Sequence, residues 1–122
     1  MMQPVGRLGA ARTGDAVSAI GEWVNAEPGL RRRILTAEGG LMLMEVAFEA
    51  GAAGYEHRHP HEQVSYCLRG RFEYTLDGRV NILSAGDSIY VPGNTLHGAK
   101  ALDAGVLLDV FTPIRDDLLG RG

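Results

Sequence analysis

The sequence predicts an all-β fold built from one domain, a sandwich, a jelly roll or a small barrel. Three observations predict it. Apolar stretches of five to eight residues recur from Ile20 onward, turn signals separate them every eight to twelve residues, and no segment sustains a helical period. Seventeen glycines in 122 residues supply many of those turns. A chain of this length has room for one domain and a single modest core.

Residues 1–19 are rich in Gly, Ala and Arg without a clear period, and are expected to form an N-terminal arm, poorly ordered or exchanged between the subunits of a dimer. The folded domain is expected to occupy residues 20–122. Gly29 introduces a first predicted strand from Leu30 to Ala37, and Gly39-Gly40 introduce a second from Leu41 to Phe48. Gly51 and Gly54 lead into a His-rich segment, followed by a predicted strand from Val64 to Leu68 that ends at Gly70. Phe72 to Leu76 turns at Asp77-Gly78 into Val80 to Leu83, a strong hairpin signal. Ser84-Ala85-Gly86-Asp87 forms the next turn, and Pro92-Gly93-Asn94 ends the strand from Ser88 to Val91. The last predicted strand, Gly105 to Phe111, is stopped by Pro113, and only Asp116 to Leu119 reads as a helical turn.

Charge and composition exclude several classes of partner. Fifteen acids against twelve bases (eleven arginines and Lys100) give a net charge of −3 with no basic stripe, so neither nucleic acid nor an anionic membrane is expected to bind. The longest strictly aliphatic run, Leu41 to Met44, is far short of a membrane span. Cys67 is the single cysteine and the N-terminus has no signal-like apolar core, which together predict a cytoplasmic protein.

The four histidines fall in two places, His57, His59 and His61 in HRHPHEQ and His97 in NTLHG. On a strand, His57 and His59 share a face, so their imidazoles can bite one metal ion. Pro60 disturbs the ladder, so His61 need not continue the alternation.

The spacings carry a resemblance. Gly51, His57, His59, Gln63 and Gly70 match the first motif of the cupin family, G-x5-H-x-H-x3/4-E-x6-G, with Gln63 where the family usually has Glu. Gly86, Pro92 and His97 match its second motif, G-x5-P-x-G-x2-H-x3-N, with Asn94 and Ala101 replacing the glycine and asparagine. The chain therefore resembles a cupin, which implies a double-stranded β-helix (a jelly-roll barrel) with one divalent metal ion inside. The ligands so implied are His57, His59, Gln63 and His97, with His61 a competing ligand whose expected place is behind the site or at its rim. Neutral imidazole and amide donors suit Ni, Zn, Mn, Fe or Co, and leave the metal charge uncompensated to attract carboxylates.

In the last strand, alternation puts Leu107, Asp109 and Phe111 on one face. A carboxylate among apolar neighbours is costly unless paired or facing a ligand, so Asp109 is either a structural hydrogen-bonding group or a general acid/base with a raised pKa. The combination of HRHPHEQ, LSAGDSIYVPGNTLHG and the ending DVFTPIRDD is similar to the small cupins of pectin and alginate breakdown called KdgF. EWVNAEPGLRRRIL and LMLMEV extend that similarity to roughly residues 20 to 117. It implies conversion of 4,5-unsaturated monouronates into linear, ketonised sugars. Asp109, Phe111 and Arg115 are the implied catalytic residues: Asp109 moving a proton, Arg115 pairing the substrate carboxylate, Phe111 walling the sugar face. The implied ion would hold the carboxylate and polarise the ring oxygen.

Ser65, two residues after Gln63, is expected on the same face and lining the pocket; Arg32, in phase with Leu30 and Ile34, is expected to reach an interior carboxylate. Arg31 and Arg33 read as a solvated edge, Cys67, Met42 and Met44 as core or interface, and Trp23 and Tyr55 as core or interface anchors. Asp87 reads as a turn residue, and Asp116 and Asp117 as a solvated cap. The implied partners are a carboxylated sugar and, because such cupins pair through outer strands, a second copy in a homodimer. Two other functions fit the residues: an Fe(II) dioxygenase, distinguished by oxygen uptake, and a non-enzymatic sugar-binding cupin, distinguished by ligand affinity without turnover.

Overall fold

A computed structural model describes residues 19–121 of the chain; the N-terminal arm expected over 1–19 falls, apart from Ala19, outside the described residues. Ten strands and one 3-10 turn make up the regular structure among them. In chain order the strands are β1 (Val24–Glu27), β2 (Leu30–Glu38), β3 (Leu41–Phe48), β4 (Ala53–His57) and β5 (Glu62–Arg69). They continue as β6 (Arg71–Leu76), β7 (Arg79–Ser84), β8 (Ser88–Val91), β9 (His97–Ala101) and β10 (Gly105–Thr112). The 3-10 turn is Asp116–Leu119. All the pairings are antiparallel, and they form a six-stranded sheet in the order β1-β2-β3-β10-β5-β8 facing a four-stranded sheet in the order β4-β9-β6-β7. The predicted all-β architecture is what forms.

Alternation explains which side chains fill the interior. Along β3, Met42, Met44, Val46 and Phe48 are buried while the intervening residues are half-buried or exposed. Ile34 of β2, Leu107 and Phe111 of β10, and Phe72 of β6 complete the apolar packing, with Phe48 and Phe72 edge to face at 4.9 Å. Cys67 lies fully buried in the same core.

Three strands were not legible as such. β1 lies beside the Pro28-Gly29 turn, and β4 and β9 are short and poor in β-branched residues. The last two pair with each other and bring His57 opposite His97. Trp23 is half-buried on the surface rather than in the core, with the guanidinium groups of Arg31 and Arg33 at 4.5 and 4.7 Å from its ring. Tyr55 is 69% exposed and so lies outside the core. Asp87 does serve its turn, accepting a hydrogen bond from the Ser84 backbone N–H at 2.9 Å.

The chain crosses from one sheet to the other where β5 turns into β6. Gly70 has φ +89°, and a Cβ there would stand 2.7 Å from the Ala104 carbonyl oxygen and from Gly105 Cα. A Cβ on Gly105 would in turn run into the Arg69 carbonyl oxygen. Two glycines thus let the chain cross between sheets beside β10, the strand that carries Asp109 and Phe111. Gly70→Ala is expected to lower the unfolding free energy by about 2 kcal/mol or more, since it combines positive φ with a backbone collision. Urea denaturation measures this, and an unchanged midpoint would show that the crossing is not tight.

Candidate functional site

A cavity of about 530 Å³ opens between the sheets, in the size range of small-molecule sites. His57, His97, Gln63, Asp109, Phe111, Arg115 and Arg32 all line it, so seven residues singled out in the sequence come together there. Leu30, Met44, Val46 and Leu107 supply its apolar wall.

Ring nitrogens of His57, His59 and His97 lie within 4.8 Å of one another. They do not converge by strand alternation, as the spacing suggested: His57 ends β4, while His59 sits in the loop before β5, next to Pro60. Pro60 cannot extend the ladder, and from the loop before it the His59 ring comes to 5.5 Å from that of His57 and 4.9 Å from that of His97. Each of the three rings is held in the same way. Nδ1 donates to a backbone carbonyl two residues away, His57 to Tyr55 at 2.8 Å, His59 to His61 at 3.1 Å and His97 to Thr95 at 2.8 Å. A carbonyl only accepts, so Nδ1 carries a proton in each ring, which leaves Nε2 as the nitrogen available to a metal. Burial and the charges of Arg115 and the neighbouring imidazoles push the His59 pKa down to about 4; burial lowers His97 as well. Both rings are neutral at pH 7, the form that binds metal.

Gln63 completes the group. Its amide N–H bonds donate to Ser65 Oγ at 3.0 Å and to Tyr74 OH at 3.3 Å, which turns its Oε1 toward His59 Nε2, 3.0 Å away. Two acceptors therefore face each other, and His97 Nε2 is buried with no hydrogen-bond partner among the described residues. Unpaired buried acceptors are costly, and a shared cation relieves all of them at once. Donors at about 2.1 Å from a metal and at right angles stand about 3 Å apart, so the residues present fit a divalent transition metal. His61 stays outside this cluster; its ring meets the Ile114 backbone, and burial, followed by Arg115, lowers its pKa.

Asp109 lies beside Ser65 in the register of β10 and β5, and accepts a hydrogen bond from Ser65 Oγ at 2.6 Å. Burial pushes its carboxyl up to about 6, against the opposing hydrogen bonds of Ser65 and Gln63 and the charge of Arg115. Such a group exchanges protons readily near neutral pH. Ser65 differs from its expected place. It is fully buried and does not line the cavity, because its hydroxyl is taken by Asp109, Gln63 and Tyr74 behind the wall. Tyr74, whose hydroxyl burial pushes strongly upward in pKa, was missed, although its i, i+2 relation to Phe72 marks it as inward-facing.

Phe111 packs edge-on against the His59 ring at 5.7 Å, and the Arg115 guanidinium sits 5.2 Å from the Phe111 ring. Asp117 is not a free cap, because its carboxylate accepts from Arg115 Nε at 3.1 Å and from Nη2 at 2.9 Å. That pair occupies two of the five N–H donors of Arg115 and holds the side chain, 11% exposed, at the cavity. Arg32 is 6% exposed on the same wall. Glu27, which the sequence did not mark, is 9% exposed and also lines the cavity. A register shift between Asn25 and Glu27 buries Ala26 and Glu27 consecutively, so simple alternation could not have found it.

His97→Ala or His57→Ala is expected to weaken divalent-metal binding by at least about tenfold, with His61→Ala retaining it. Metal analysis after dialysis checks this, and unchanged stoichiometry in the first two variants would overturn the ligand assignment.

Comparison with known proteins agrees with this geometry. Residues 44–111 match the family model described as Cupin domain. The pectin degradation protein KdgF of Dickeya dadantii (strain 3937) is 38% identical over 99 residues, which cover 80% of this chain and 90% of that protein. KdgF from Halomonas sp. superposes with a TM-score of 0.77 and 41% identity, over 80% of this chain and 91% of that one. An RmlC-like cupin from Shewanella frigidimarina NCIMB 400 superposes with a TM-score of 0.75 and 42% identity, over 79% and 86% of the two chains. Among the described residues no helix is long and apolar enough to cross a membrane. With its barrel, its histidine cluster and these relatives, the chain belongs to the cupin family and, within it, to the KdgF-like cupins.

Proposed function

We propose that this protein is a metal-dependent cupin of pectin or alginate breakdown that promotes ring opening and ketonisation of 4,5-unsaturated monouronates. One observation carries the reading: a buried carboxyl, Asp109, hydrogen-bonded by Ser65 at 2.6 Å, lines the same cavity as His57, His97 and Arg115. The name of the Dickeya relative, a pectin degradation protein, supports the substrate class.

The net reaction is an isomerisation. The proton leaves the anomeric hydroxyl, the C1–O5 bond breaks, and C1 becomes an aldehyde while the ring oxygen keeps the electron pair as a C5 enol. A proton added at C4 then converts the enol into a 5-ketone, so one proton leaves and one arrives. His57, His59, His97 and Gln63 would hold a divalent ion, which supplies Lewis-acid polarisation and charge for a carboxylate.

Asp109 is the group placed to accept and return the proton, with Ser65 fixing the orientation of its carboxyl. Arg115, steadied by Asp117, offers its remaining donors to the substrate carboxylate. Phe111 and the aliphatic wall keep water from the ring face. Asp109→Ala is expected to slow turnover by about 10²-fold, or to the uncatalysed background. Loss of the unsaturated-bond absorbance of 4,5-unsaturated galacturonate reads this rate. No acceleration by wild-type protein loaded with Ni, Zn, Mn or Co would remove the reaction.

The same reading includes a homodimer formed through the outer face of the six-stranded sheet. Val64 is flanked by Val110 on β10 and Tyr90 on β8, three apolar residues in register that are 38%, 38% and 52% exposed. Tyr66, 39% exposed, extends the patch along β5. Light scattering at micromolar concentration is expected to give twice the chain mass, and Val110→Glu to reduce it to the monomer. A monomeric wild type would remove the dimer.

A further inference from the structure

Glu27 is the one buried carboxylate of the cavity that the reaction above leaves unused. Its Oε1 has no hydrogen-bond partner among the described residues, although the side chain is nine-tenths buried and lines the cavity. A carboxylate left in that state costs free energy on folding, and an apolar residue would fill the position more cheaply. Hydrogen-bond donors that arrive with a ligand resolve the conflict.

Its position says which donors. Glu27 stands opposite Leu30 at the β1–β2 turn. Leu30 in turn lies against Gly54 of β4, where an added Cβ would be 3.5 Å from Leu30 Cδ1. Gly54 is three residues before His57 on the same strand, a separation of about 10 Å along it. Beside the polar group of histidines, Gln63, Asp109 and Arg115, the cavity wall carries a second one at the β1–β2 turn, where Glu27 can accept hydrogen bonds and Arg32 follows two residues after Leu30. Leu30, Val46 and Leu107 line the cavity with them.

We infer that Glu27 forms a hydroxyl-binding subsite that recognises the sugar hydroxyls remote from the substrate carboxylate, selecting polyhydroxylated ring acids over plain ones. This rests on reading the cavity as a sugar-acid site and adds the residue that tells a sugar from another carboxylate. A carboxyl oxygen accepts hydrogen bonds from ring hydroxyls, and Arg115 takes the acid group of the same ligand.

Two probes with the same ring oxygen and carboxylate separate the possibilities: D-galacturonate, and tetrahydropyran-2-carboxylate, which lacks every hydroxyl. Calorimetric titration into metal-loaded wild-type protein is expected to show tighter binding of galacturonate. Glu27→Leu is expected to weaken galacturonate by about tenfold to a hundredfold, the range for losing a hydrogen bond to a charged group, and to leave tetrahydropyran-2-carboxylate within about twofold. Glu27→Gln should fall between, because its amide oxygen still accepts. Thermal unfolding should show Glu27→Leu at or above the wild-type midpoint. The inference is overturned if both probes weaken alike, if neither changes, or if the wild type does not prefer galacturonate. Galacturonate selectivity that depends on Glu27, in a protein without turnover of the unsaturated sugar, would keep the subsite and discard the reaction.

Discussion

A hydrogen-bond chain through the middle of the barrel is the constraint on which the rest depends. Asp109 on β10, Ser65 and Gln63 on β5, and Tyr74 on β6 are all buried, and they satisfy one another across the gap between the two sheets. Each link excludes alternatives for the next. Asp109 takes the Ser65 proton; Ser65 and Tyr74 take the Gln63 amide donors; the Gln63 oxygen is left to face His59. Removing one member leaves buried partners unsatisfied, at about 1–3 kcal/mol each, so the chain specifies one arrangement of the interior.

The histidines are organised by a different device that meets this chain at Gln63. Backbone carbonyls at Tyr55, His61 and Thr95 each accept from Nδ1 and leave Nε2 of each ring for a metal, and they belong to a strand and to two loops. The donor set is therefore pre-arranged by main chain, and the cost of holding three imidazoles close together is offset by folding of the whole barrel. Gln63 in place of a glutamate adds no charge to that set, and the cavity is lined besides by the carboxyl groups of Asp109 and Glu27 and the guanidinium groups of Arg32, Arg58 and Arg115.

Much of the fold was legible because β-strands announce themselves by turns and alternation. Asp77-Gly78, Gly39-Gly40 and Pro92-Gly93 divide the chain where the strands divide it. The burial of Met42, Met44, Val46 and Phe48, and of Leu107, Asp109 and Phe111, follows from period two. The fits of β1, β4 and β9 were not legible: these strands are short and take their stability from the neighbours they pair with rather than from their own residues. The histidine spacing was likewise legible as a cluster, but the route to it was not. Pro60 takes His59 out of the strand, and a loop, not alternation, closes the site.

By itself the sequence determined the fold class, the family and the residue types of the site, because local periodicity, turn chemistry and motif spacing are properties of neighbours along the chain. Only the tertiary structure decided what each polar group faces. It withdrew Ser65 from the cavity to hold Asp109, engaged Asp117 with Arg115, and turned Glu27 inward through a register shift. Those outcomes depend on hydrogen-bond partners many residues away, such as the 44 that separate Ser65 from Asp109. A buried polar group is satisfied only by what the fold brings to it.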